Sequence, residues 1–154
     1  MTRGIHNIFF SIAVAVVLSC VISGRASASS LEDHTITVEN LRLHYVESGE
    51  QNGRTLVLIH GNAGKAEDVE FGAIDALTQR YHVIAIDRPG HGQSDRSDNL
   101  DTVDTQAVLL HQELQQLRIS KPILVGHSWG GSLALAYALK YPNDLGGLVL
   151  LAPA

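Results

Sequence analysis

Residues 126–130 read Gly126-His127-Ser128-Trp129-Gly130, a G-x-S-x-G pentapeptide whose flanks constrain the fold more than any other feature of the chain. Before it runs Pro122-Ile123-Leu124-Val125, short, apolar and β-prone. After it runs Gly131-Ser132-Leu133-Ala134-Leu135-Ala136-Tyr137-Ala138-Leu139, rich in strong helix formers. The spacing predicts strand, sharp turn and helix. A serine at such a joint stands out above the end of the sheet. Glycines two before and two after it let the two backbones approach. The helix N-terminus adds N–H groups that favour developing negative charge. Ser128 is thus a candidate acyl-transfer nucleophile. The same five letters also suit an ordinary glycine-rich turn, so other segments must decide.

Two further segments stand in register with the first. His60-Gly61-Asn62-Ala63-Gly64 follows the apolar run Thr55-Leu56-Val57-Leu58-Ile59. Asp87-Arg88-Pro89-Gly90-His91-Gly92-Gln93-Ser94-Asp95 follows His82-Val83-Ile84-Ala85-Ile86. With these three motifs, Leu41 to Ala154 resembles the α/β-hydrolase family, in its serine esterase, lipase and haloperoxidase-like branch. The resemblance implies an α/β fold: a mostly parallel sheet with helices on both faces, here truncated after strand six of eight. It implies a serine-dependent hydrolase that forms an acyl-enzyme on Ser128 from an ester-like small-molecule substrate, with no cofactor. It also implies an oxyanion hole built from the backbone N–H groups of Asn62 and Trp129. Read on their own residues, Asn62 equally suits a turn with unusual φ, and Trp129 a bulky side chain packed near a pocket.

The first 28 residues are expected to be a secretory signal peptide, leaving 29–154 as a partial α/β-hydrolase domain. Arg3 supplies a positive start, Ile8 to Ile22 is almost wholly apolar, and Ala26-Ser27-Ala28 suits cleavage. An uncleaved membrane anchor and lipid attachment at Cys20 are the alternatives. Cleavage implies a secreted or periplasmic protein without a stable membrane partner. It removes Arg3, Arg25 and the only cysteine, and moves the charge from −5 to −7. No thiol nucleophile, disulfide or cysteine-based zinc site then remains. An isoelectric point near 5.8 gives no footprint for nucleic acid.

Along the remaining chain, Thr35 to Val38 and Leu41 to Val46 read as strands of a hairpin turned at Glu39-Asn40. Thr55 to Ile59 and His82 to Ile86 are continuous apolar strands suited to a covered parallel sheet. Ala66 to Arg80 reads as a helix with Val69, Ala73, Ile74 and Leu77 inward. Asp101 to Leu117 is the strongest helix, with Val103, Ala107, Leu110, Leu114 and Leu117 on one face. Asp101 and Asp104 complement the dipole of its first turn. Ser128 to about Tyr141 is the next helix, and Leu148 to Leu151 the last strand, an open apolar edge that invites aggregation.

A serine hydrolase also needs a base and an acid to orient it. In the family these follow the serine, acid first and histidine last. Here Asp144 is the only acid after Ser128, and no histidine follows it. Among upstream histidines, His60 and His91 read as structural, and His127 as pointing away from the serine. The 154-residue chain alone is therefore expected to be inactive. A non-catalytic remnant or binding protein of the same fold is the alternative from another class. A cofactor-free haloperoxidase-like enzyme or carbon–carbon bond hydrolase is the alternative within enzymes. Epoxide hydrolases and haloalkane dehalogenases use an aspartate nucleophile, which Ser128 argues against. Asp87 and His91 read as turn-forming residues. Gly64-Lys65 fails as a phosphate loop, because position 59 is Ile and position 66 is Ala. The histidines include no H-E-x-x-H, so no metal site is expected.

Overall fold

The computed structural model describes residues 31–49, 53–70, 74–100 and 102–154, and the expected leader lies outside them. Strand β1 (Glu32–Val38) turns into β2 (Leu41–Ser48) through Glu39 and Asn40, both at positive φ (48° and 69°). That is the geometry of a two-residue primed turn, whose twist matches an antiparallel pair. Asparagine tolerates it readily; Glu39 carries the greater cost. The parallel strands are β3 (Thr55–Ile59), β4 (His82–Ile86), β5 (Ile123–His127) and β6 (Gly147–Leu151). They assemble in the order β1-β2-β4-β3-β5-β6. β2 joins β4 antiparallel, and every pairing from β4 to β6 is parallel.

Helices α1 (Ile74–Thr78), α2 (Val103–Gln116) and α3 (Trp129–Lys140) cover this sheet. Alternation along the central strands divides the core in two. Val57, Ile59, Ile84 and Ile86 pack with Leu110, Leu114, Leu133 and Tyr137 under α2 and α3. Leu56, Leu58, Val83 and Ala85 face the other way, against Ala66 and Leu77. The runs are apolar throughout because both faces are covered.

The single helix expected over Ala66 to Arg80 is not formed. A 3₁₀ turn (Ala66–Glu70) and the short α1 replace it. The Ala66 N–H is donated to an Asp87 carboxylate oxygen at 2.6 Å, which ties this segment to the loop after β4. A tertiary bond thus fixes the chain where periodicity suggested a longer helix. α2 starts later than expected, because Thr102 caps it and forms a reciprocal pair with Thr105. Its face is also wider: Leu109 joins Val38 and Leu43 in a small third cluster. The last strand begins one residue earlier than expected, at Gly147, and lies at the sheet's outer position beside β5.

Candidate active site

β3, β4 and β5 end side by side, and their following loops converge on Ser128. The serine has φ 51° and ψ −122°, well outside the regions ordinary residues occupy. Glycine spacing makes this turn sterically feasible. A Cβ on Gly126 would fall 2.2 Å from the Gly130 carbonyl oxygen, and one on Gly130 would fall 2.4 Å from the Ile59 carbonyl oxygen. Ser128 also occupies the N-cap position of α3, where a serine hydroxyl ordinarily accepts from the first-turn N–H groups. Here it makes no such bond.

The loop after β3 presses on this turn. A Cβ on Gly61 would lie 3.0 Å from Ser128 Cβ. Residues 61–64 form a turn closed by Gly64 N–H to the Gly61 carbonyl at 3.4 Å. The unusual φ expected of Asn62 falls instead on Ala63, at 56°. Asn62 itself is exposed at the turn's tip. Trp129 opens α3, so its N–H has no acceptor within the helix.

The loop after β4 binds these parts together. Asp87 is buried and accepts from Ala66 N–H, from Gln93 N–H at 2.8 Å and from His44 Nδ1 at 2.7 Å. A Cβ on Gly92 would collide with that carboxylate. Asp87 therefore shapes the loop, as its turn position implied. Arg88 is 1% exposed. Its backbone N–H is donated to His60 Nε2 at 3.1 Å. Its side chain donates from Nε to the His60 carbonyl at 3.2 Å and from Nη2 to the Gly61 carbonyl at 2.9 Å. The guanidinium carbon lies 4.4 Å from the Trp129 ring centroid. Burial lowers its pKa to about 10, so it stays a cation at neutral pH.

His60 and His91 are both committed elsewhere. His60 Nδ1 donates to the Gly61 carbonyl at 2.7 Å while Nε2 accepts from Arg88. Burial pulls the imidazole down to about 4, with the nearby Arg88 charge adding to the effect, so it is neutral at pH 7. His91 Nδ1 donates to the Pro89 carbonyl at 3.1 Å, and Nε2 faces Arg88 Nη2 at 3.2 Å. Neither ring has a nitrogen left to take a proton from Ser128. Asp144 lies far along the chain's other flank, 3.9 Å from His111 Nε2. Among the described residues, no cluster of three or more potential metal ligands occurs.

The residues singled out from the sequence, Ser128, Asn62 and Trp129, lie at the ends of β5 and β3, and the sequence did not single out Arg88 or His44, which bond the loops beside them. An arginine between an aspartate and a proline reads as a solvated turn residue. Only its place directly after a wholly apolar strand hinted at burial.

This chain belongs to the α/β-hydrolase family: the family model described as "alpha/beta hydrolase fold" matches residues 54–154. It is 40% identical over 110 residues to the probable 1-acylglycerol-3-phosphate O-acyltransferase of Oryza sativa subsp. japonica, covering 68% of this chain and 26% of that protein. It is 34% identical over 137 residues to Lipase 1 of Psychrobacter immobilis, covering 87% of this chain and 43% of the lipase. The crystal structure of Cfl2 from Burkholderia cenocepacia superposes with a TM-score of 0.78 at 29% identity, over 84% of this chain and 44% of that one. Other relatives are hydrolases of the same fold, epoxide hydrolases among them. The chain spans less than half the length of these relatives.

Proposed function

We propose that this chain is the nucleophile-bearing part of a serine hydrolase acting on ester-like acyl substrates. Ser128 Oγ gives its proton to a general base and attacks the substrate carbonyl; the ester C–O bond breaks, the alcohol leaves with that proton, and water then hydrolyses the acyl-serine to free acid. The N–H groups of Asn62 and Trp129 receive the oxyanion. The observation that carries this reading is the Ser128 backbone, bent to φ 51° at the joint of β5 and α3 with its capping bond forgone. Strain at a half-buried serine, beside a helix N-terminus, suits a nucleophile and has no folding benefit. The similarity to a lipase and to an acyltransferase supports acyl chemistry. His60 and His91, the histidines nearest this turn's partner loops, are engaged by backbone carbonyls and Arg88, so neither is assigned as the base.

The test is covalent labelling. In the full-length protein, a fluorophosphonate probe should modify Ser128, and Ser128→Ala should abolish the modification. Labelling that persists in the alanine variant refutes the assignment. The 154-residue chain alone should not turn over short p-nitrophenyl esters, because nothing deprotonates the serine. Turnover that disappears in Ser128→Ala would restore an upstream histidine as base. The leader belongs to the same proposal: export with cleavage after Ala28, giving a product that begins at Ser29. N-terminal sequencing that returns Met1, or a lipid-modified Cys20, would reject it.

A further inference from the structure

We propose that Arg88 is a positioning residue of the oxyanion hole, a buried cation that aims the Asn62 N–H through its bond to the Gly61 carbonyl. The inference rests on the reading of Ser128 given above. Its geometry starts from one peptide unit. The Gly61 carbonyl and the Asn62 N–H belong to the same planar trans peptide and point in opposite directions. Whatever fixes the Gly61 oxygen therefore aims the Asn62 N–H. Three donors converge on that oxygen: His60 Nδ1 at 2.7 Å, Arg88 Nη2 at 2.9 Å and Gly64 N at 3.4 Å. Of these, Arg88 alone carries a charge. A charge-assisted bond on the carbonyl draws electron density through the peptide and strengthens the N–H on its far side.

The same guanidinium packs on the side chain of the residue after the serine. It lies against the Trp129 indole, and Trp129 supplies the other N–H. Its Nε bond to the His60 carbonyl holds the preceding peptide as well. Arg88 itself is fixed at both ends, because its backbone N–H binds His60 Nε2 and Asp87 beside it anchors the loop after β4. A lysine could place one ammonium near one carbonyl. It cannot span His60 and Gly61 with a planar fork or stack on the indole.

The experiment uses the full-length enzyme, with Arg88→Lys and Arg88→Met beside the native protein. Each is assayed on a p-nitrophenyl ester and titrated with a trifluoromethyl ketone, which forms a tetrahedral oxyanion on the serine. Folding is checked by near-ultraviolet circular dichroism. We expect kcat to fall about 10- to 100-fold in both variants, less than the roughly 100- to 1,000-fold of a lost oxyanion donor because the donors remain, with KM within about twofold. Ketone affinity should fall by the same factor as kcat/KM, and added methylguanidine should restore part of the rate in Arg88→Met. Folded variants with native kcat, or with a change in KM alone, overturn the inference. So does failure of both variants to fold, which would assign Arg88 to folding only. A native enzyme that a fluorophosphonate leaves unlabelled would overturn the reading of Ser128 itself, a result distinct from any of these.

Discussion

The two flanks of the sheet are built on different principles. Around the ends of β3, β4 and β5, buried polar groups hold one another: Asp87 with His44, Arg88 with His60 and Gly61. Backbones meet so closely there that single Cβ atoms do not fit. On the other flank, Leu135 and Leu139 of α3 and Val149, Leu150 and Leu151 of β6 stand exposed, Leu139 at 77%. The first region is over-determined and has little tolerance for change. The second is apolar and uncovered within these 154 residues, although the Leu151 carbonyl accepts the Ser128 N–H at 2.9 Å.

The contrast can be broken most sharply at Gly126. Gly126→Ala places a methyl within 2.2 Å of a carbonyl oxygen and must move backbone. It should destabilise the chain by about 3 kcal/mol or more, the range of overpacking combined with backbone displacement, measured by urea denaturation. A loss below about 1 kcal/mol would show that the region yields more than its packing implies.

Comparable in size is the response to pH set by Glu113 on the inner face of α2. This carboxyl is 3% exposed, and one of its oxygens has no hydrogen-bond partner. Burial pushes its pKa up from 4.5 to about 8. The folded chain keeps a proton that the unfolded chain releases above pH 4.5. Stability should therefore fall as pH rises from about 4.5 to about 8 and level off beyond, by a few kcal/mol in all. Glu113→Gln should flatten that slope in denaturation curves taken across the range. An unchanged slope would locate the titrating group elsewhere.

A smaller effect is expected at the α2 cap. Thr102→Ala removes the acceptor for Thr105 N–H at 3.2 Å and should cost about 1 kcal/mol. Smallest is the effect on the open flank. Leu139→Lys should change stability by less than about 0.5 kcal/mol, while raising solubility in a sedimentation assay. A large loss of stability there would mean that the two flanks differ less than their burial suggests.

The sheet and the serine turn were legible in the sequence because both are written locally. Apolar runs such as Leu56 to Ile59 and Val83 to Ile86 can satisfy only a strand covered on both faces. The glycines at 126 and 130 sit where two backbones touch. Ser128 stood out through its own motif, while Asn62 and Trp129 came only from the family resemblance. What was not legible depends on residues distant in sequence. Ala66 is pinned by Asp87, and His44 lies between Asp87 and Asp33 at 2.7 and 3.0 Å. Arg88 meets Gly61 across 27 residues. No local pattern distinguishes a buried arginine with several bonds from a solvated one in a turn. Those pairings decide how the site is held, and only the fold reveals them.

The N-cap of α3 has a bearing on selection as well as on chemistry. At φ 51° a glycine would sit without strain, and the serine contributes no capping bond in return. Ser128→Gly should therefore leave the fold as stable as before, or more so. A lineage chosen for durability alone would drift to glycine there, as chains commonly have such improvements within reach. Serine at this position is a standing concession, kept in spite of the thermodynamics of folding.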